Sequence, residues 1–191
     1  MTLFAAIALC ALLRCTLGYI MGPHRMLQQT ASSSVDAPVD TAVLLTLRGI
    51  GTQNYTAQKS TSYLNTGARA DLYSNSTLKR AIHFFDDASH PTWILLSPTG
   101  SQEGMVHGRI IARSPMPASS DDGGFGSVDA LLLKAFGGEG TLASCTYIQR
   151  LNVNGGGAPK GFHTLPAWNG IASFEAAFPY QAIYTFSSGG S

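Results

Sequence analysis

The chain has 191 residues, 45% of them hydrophobic and 12% charged, which suits one sizeable core and a single globular domain. Lys plus Arg number 12 against 11 for Asp plus Glu, so there is no basic face to meet a phosphate backbone, and the balance argues against nucleic acid as a partner. With 21 Gly and 9 Pro, the composition favours strands and turns over helices.

The apolar run from Leu3 to Leu13 is shorter than the roughly 20 residues of a membrane span but fits the core of a signal peptide. Thr16 and Gly18 place small residues ahead of a cut before Tyr19, so residues 1–18 are expected to be removed, leaving no membrane segment. The usual early Lys or Arg is missing, which leaves a signal anchor open as the alternative. Cleavage would remove Cys10 and Cys15, and Cys145 alone permits no internal disulfide. Two sequons, at Asn54 and Asn75, fit the same secreted, extracellular setting, and Asn75 is the more accessible acceptor, in a polar turn.

Tyr19 to Asp40 has no hydrophobic period and reads as a flexible N-terminal segment. From 41 to 187, apolar or alternating runs separated by turn residues predict strands at 41–47, 52–57, 68–73, 82–85, 92–96, 105–112, 130–136, 146–153 and 182–186. No segment carries a helical stripe. The expectation is an all-β single domain, a β-sandwich or barrel of about eight to nine short strands.

Alternation assigns faces without saying which is inward: Gln53 and Tyr55 oppose Thr52 and Asn54, and Tyr147, Leu151 and Val153 oppose Ile148, Arg150 and Asn152. The nearly continuous apolar run Ala130 to Phe136 predicts a central strand buried on both sides, with Lys134 needing a route to water. Residues 114–127 read as a long loop with a favourable Asp122-Gly123 turn pair. Asn154 to Gly157 reads as a sharp turn in which glycines supply positive φ, with Ala158-Pro159 leading out in extended form.

Gly138 to Ala143 matches the spacing of a dinucleotide fingerprint, but a strand follows where a helix is needed. Gly155 to Gly161 lacks the Gly-Lys-Ser/Thr ending of a phosphate loop. No cofactor is expected. His83, Asp86, His90 and His107 are residue types that ligate metals, yet their spacing matches no metal site, and none is expected. His83, Asp86 and His107 remain the candidate catalytic residues, with Asp71, Glu103 and Asp129 as the other carboxylates to watch. Cys145 has no basic partner nearby in sequence and reads as a buried, inert thiol. Tyr55, Tyr73, Trp93 and Tyr147 either stack on sugar or serve the core.

The stretches GIGTQNYTA (49–57), ARADLY (68–73), IHFF with PTWIL (82–95), VDALLLKA (128–135), TYIQRLNVNGGGAPKG (146–161) and FPYQAIYTF (178–186) resemble a family of secreted microbial proteins of uncharacterised function. The resemblance covers about 44–186. Members often carry the automatic name malate dehydrogenase, which the residues here discount, since they supply no dinucleotide-binding pattern. The resemblance implies an exported, mainly β domain and transfers no catalytic residue. It also implies a cysteine pair in relatives, taken as a disulfide, at the positions held here by Ala57 and Phe162. A bridge of that kind contributes about 2–4 kcal/mol, which packing must supply instead if Ala57 and Phe162 are neighbours.

The leading expectation is a secreted, glycosylated, non-catalytic binding or structural module, with cell-wall glycan or a surface protein as the kinds of partner it suits. The alternative is an extracellular hydrolase or carbohydrate-binding module. An enzyme requires His83, Asp86 or His107 to converge with a carboxylate in one concavity.

Overall fold

The computed structural model describes residues 35–58, 63–116, 125–159 and 173–190. The expected signal peptide, residues 19–34, the Asp122-Gly123 pair and Phe162 lie outside them. The strands are β1 (Thr41–Gln58), β2 (Tyr63–Tyr73), β3 (Lys79–Phe85), β4 (Pro91–Leu96), β5 (Gln102–Ser114), β6 (Phe125–Ser127), β7 (Ala130–Gly140), β8 (Tyr147–Pro159) and β9 (Ser173–Gly189). β1 to β5 form an antiparallel meander that β7, β8 and β9 continue, and β9 returns to pair with β1. The fold is all-β, as expected. Of the two architectures left open it is the barrel: eight strands close on themselves and β6 is a ninth, added to the far end of β8.

Closure follows from alternation. Leu47 on β1, Ala70 and Leu72 on β2, Ala81 on β3, Trp93 and Leu95 on β4 and Val106 on β5 all turn inward at every second position. Leu131 and Leu133, Ile148, and Tyr184 and Phe186 complete the ring. Each large apolar side chain buried this way is worth about 1.5–3 kcal/mol. β7 is covered on both sides, as its continuous apolar run predicts: Ala130 and Leu132 face outward, against Val35 and Tyr147. Lys134 is exposed and lays its ammonium 4.1 Å from the Tyr147 ring centroid. Val35 is buried and its carbonyl accepts a hydrogen bond from Gln149 Nε2. The described end of the segment expected to be flexible, 35–40, is therefore held to the barrel wall.

Three local expectations are corrected. The runs 41–47 and 52–57 are one strand, because Gly49 and Gly51 admit neighbours rather than turn the chain. A Cβ on Gly49 would stand 2.7 Å from the Tyr184 ring, and one on Gly51 would stand 2.0 Å from the Arg69 carbonyl oxygen. The glycines of 155–157 likewise lie within β8. Gly155 and Gly156 do take positive φ, but in an irregular stretch of strand between Tyr180 on β9 and Ser127 on β6. Part of the expected loop at 114–127 is the short strand β6, where the Ser127 hydroxyl accepts from the Gly155 N–H. With three residues and two small ones among them, β6 has no period to reveal it.

Gly51→Ala forces a methyl into backbone with no side chain able to yield. It is expected to cost at least the roughly 3 kcal/mol of severe overpacking, lowering Tm by roughly 6–12 °C. Gly126→Ala meets open space within 4 Å and should stay within about 0.5 kcal/mol of the parent. Thermal melts of the two variants check this, and equal melting temperatures would remove the close-approach role given to Gly51.

Candidate functional site

The barrel is filled at one end and hollow at the other. Where β1, β3 and β5 finish and β2, β4 and β7 begin, the wall lines a cavity of about 380 Å³ that is partly open to solvent. That is at the small end of the roughly 300–1,000 Å³ of organic-ligand sites. Phe85, Trp93, Ile110, Leu131 and Leu133 give it apolar surface, and Gln53, Asn65, His83, Asp129 and Arg150 give it polar groups.

Arg150 enters the interior because it shares the face of Ile148 and pairs with inward-facing Leu131 on β7. It is 8% exposed. Its Nε and Nη2 both donate to the main-chain carbonyl of Asp129, at 3.2 and 2.8 Å. The Asp129 carboxylate lies 3.7 Å from Arg113 instead. Among the described residues no carboxylate forms an ion pair with Arg150. A buried guanidinium without a counter-ion costs several kcal/mol, which a carbonyl dipole offsets only in part. Its field crosses the cavity: burial raises the Tyr55, Tyr180 and Tyr184 phenols above their ordinary value, and Arg150 pulls each back.

Gln53 is oriented by a relay. The Gly67 N–H donates to Asn65 Oδ1 at 3.1 Å, which fixes that amide, and Asn65 Nδ2 then donates to Gln53 Oε1 at 3.1 Å. Gln53 Nε2 is thereby turned away from Asn65, and it is buried with no hydrogen-bond partner. Tyr180, whose hydroxyl is bonded to that of Tyr184 at 2.8 Å, lies beside the Gln53 amide, which acts to lower the pKa of its phenol. Trp93 Nε1 is a second buried donor without an acceptor. His83 stacks on Trp93 with ring centroids 4.4 Å apart. Its Nδ1 is 2.9 Å from the Thr92 carbonyl, which only accepts, so Nδ1 carries the proton and Nε2 of the neutral ring keeps a lone pair. Burial lowers the His83 pKa to about 4, with Arg150 acting in the same direction.

The three candidate catalytic residues are divided by the barrel wall. His83 faces the cavity, whereas Asp86 and His107 meet on the outer face, His107 Nδ1 3.2 Å from Asp86 Oδ2 and 2.8 Å from Thr92 Oγ1. His107 alternates with inward Val106, which sets its direction. His90 joins this outer group, Nδ1 3.5 Å from the same carboxylate oxygen. Asp86 is held below its ordinary pKa first by the His90 main-chain N–H. No cluster of His, Cys, Asp or Glu among the described residues could hold a metal. Asp71 pairs with Lys79 and Glu103 with Arg80, leaving Asp129 as the carboxylate that lines the cavity with His83. Tyr55, Trp93 and Tyr147 are buried, so the aromatic residues do not share an open stacking surface. Burial pushes the Cys145 thiol up to about 11. Asn75 is exposed in the β2–β3 turn, where Oδ1 accepts from the N–H groups of Thr77 and Leu78. Asn54 is half-buried within β1. Ala57 sits in β1 opposite Tyr63 and Phe174, and its partner in the implied pair is outside the described residues.

Arg150, Gln53 and Asn65 were not among the residues singled out from sequence. The available signal was parity: Arg150 shares the face of Ile148, and Gln53 that of Tyr55. The segments that carried the resemblance also converge here, since Gln53, His83, Trp93, Asp129, Arg150 and Tyr184 each come from one of them. A family model described as a protein of unknown function, DUF3455, matches residues 38–188. No curated protein and no solved structure matches the chain.

His83 sets an acid limit. Its pKa in the folded state, about 4, lies below the roughly 6.5 of an unfolded chain, so below that value the unfolded state binds more protons and stability falls with pH. The stabilisation is complete above about pH 6.5; about 2 kcal/mol is lost by pH 5 and about 3 kcal/mol by pH 4. His83→Phe, which keeps a ring on Trp93, should show a correspondingly shallower loss in denaturant titrations from pH 7 to 4. Parallel profiles for parent and variant would contradict the neutral, buried assignment.

Proposed function

We propose, for a chain that belongs to the family of proteins of unknown function described as DUF3455, a non-catalytic binding role outside the cell, with a small organic molecule held in the barrel. One observation carries the reading: a cavity of about 380 Å³ whose lining side chains include two buried donors without acceptors, Gln53 Nε2 and Trp93 Nε1. Buried polar groups in folded proteins are hydrogen-bonded as a rule, and unpaired ones on the side chains that line a cavity favour a ligand site there.

Export is supported by the Leu3 to Leu13 run and by Asn75, an exposed sequon in a turn. A glycan at Asn75 belongs to this proposal. A polysaccharide partner is less well supported, because the aromatic side chains that would stack on it point inward or lie covered. The hydrolase reading draws on His83 and Asp129 lining one cavity, but the Asp129 carboxylate is engaged by Arg113, and Asp86 and His107 are on the other side of the wall. A dehydrogenase reading lacks the parallel strand–helix crevice that holds a dinucleotide.

Neutral 2-naphthol, titrated calorimetrically into the purified protein, is expected to bind with one-to-one stoichiometry. Leu131→Trp, which fills the cavity from β7, should weaken it at least ten-fold while the fold, followed by circular dichroism, persists. Equal binding by the filled variant, or failure of 2-naphthol and of its charged and amide analogues alike to bind, would defeat the reading.

A further inference from the structure

Resting on the reading of the cavity as a ligand site, we infer that its ligand carries a carboxylate, with Arg150 as the anion anchor and Gln53 Nε2 and Trp93 Nε1 as the further donors. Two features point to this chemistry, and the size of the charge narrows it further. The first is charge. The ionised side chains that line the cavity are Arg113, Asp129 and Arg150. Arg113 and Asp129 face each other at 3.7 Å, which leaves one positive charge, on Arg150, without a counter-ion. The other titratable groups that feel it, His83, Tyr55, Tyr180 and Tyr184, are neutral near pH 7, so among the described residues nothing else around Arg150 supplies the missing negative charge.

The second feature is the direction of the hydrogen bonds. The orphaned groups are donors, Gln53 Nε2 and Trp93 Nε1, and the guanidinium can only donate. An acceptor-rich, planar group suits a lining whose unpaired groups are all donors. The Gly67–Asn65–Gln53 relay keeps the Gln53 amide from reversing to offer its oxygen, because the first link is a backbone N–H. The size of the charge narrows the choice: a single unpaired guanidinium matches a monoanion, whereas a phosphate dianion would enter with charge to spare. The ligand body is set by Trp93, Phe85, Leu131 and Leu133, which call for an aromatic or compact apolar frame. His83 Nε2, with no partner among the described residues, is the one ring acceptor available to a hydroxyl on that frame.

The test uses one ring system with different heads: 2-naphthoate, 2-naphthamide, 2-naphthylmethylamine and 2-naphthyl phosphate, titrated into the full chain at pH 7. Naphthoate is expected to bind at least about ten-fold more tightly than the amide, and the ammonium compound not measurably, the size of effect given by charge-assisted hydrogen bonds to a buried guanidinium. In Arg150→Gln the advantage of carboxylate over amide should fall to about one-fold, and Arg150→Lys should restore part of it. If Arg150→Gln does not fold, the ranking of heads on the parent protein and on Arg150→Lys still decides. Equal binding of carboxylate and amide would overturn the anion assignment and leave the cavity reading standing. Tighter binding of the phosphate would overturn the carboxylate, and loss of preference in Arg113→Gln but not Arg150→Gln would overturn Arg150 as the anchor. Failure of all four compounds, and of 2-naphthol, would remove both readings together.

Discussion

The pairing of β9 with β1 is the constraint on which the rest of this molecule depends. It runs from Thr41 opposite Gly189 to Gln58 opposite Ser173, while β9 also pairs with β8, so the meander has no free edge between its first and last strands. Closing the ring divides every strand into an inside and an outside, and with a period of two the division holds residue by residue. It also exposes any exception. A charged or amide side chain on the inner face cannot swing to water, so it must be satisfied within the barrel or remain as a standing cost. Gln53, His83 and Arg150 are such exceptions, and all three line the same cavity.

The two ends of the barrel are built by opposite rules. Around Leu47, Leu72, Leu95, Leu142 and Phe186 the interior is filled by apolar side chains, all of them buried. Small residues make that filling possible: Gly49 gives way to the Tyr184 ring, and Gly108 lies within 3.1 Å of Trp93 and 3.0 Å of Leu133 at the position its Cβ would take. Toward the other end Arg150 replaces a hydrophobe and Gln53 replaces another, and the interior stops being filled. A barrel selected only for stability would place leucine or isoleucine there, since substituting well-packed apolar groups for a buried charge is commonly neutral or favourable. Departures from consistent patterning gather at functional sites, and this end of the barrel is where they gather.

Much of the wall was legible because alternation survives in the sequence. Val106, Gly108 and Ile110 line the inside of β5 while Met105, His107 and Arg109 look out, and the same reading holds along β3 and β4. It fails where backbone geometry, not side-chain character, sets direction. On β8, Asn152 adopts φ of 49° within a break in the β8–β9 register. Ile148 and Arg150 are inward before it and Val153 inward after it. Tyr147, Leu151 and Val153, which simple alternation assigns to one face, are therefore on two. A single left-handed residue hides in the letters, and with it the fact that Arg150 belongs to the interior. Glycine misleads for a related reason: the same residue type that turns a chain also lets two strands approach, and only the neighbours across the sheet distinguish Gly51 from a turn.

Parity also decides between the two kinds of chemistry that the histidines suggest. Thr92 and Trp93 are adjacent on β4 and point opposite ways, and each collects a histidine from a neighbouring strand: Trp93 stacks on His83 inside, and Thr92 bonds His107 outside. His83 cannot join Asp86 and His107 without passing through the sheet, so their closeness in sequence never becomes one constellation. What the inside retains is a ring kept neutral by burial, an amide held in one orientation by a backbone N–H, and a guanidinium with no carboxylate partner among the described residues. General acid–base chemistry near neutral pH requires a group whose pKa lies near the working pH. Burial has moved His83 away from that range, and the Asp129 carboxylate is turned to Arg113. Among the described residues the cavity therefore offers fixed donors and a fixed charge, and the histidine beside them is held neutral.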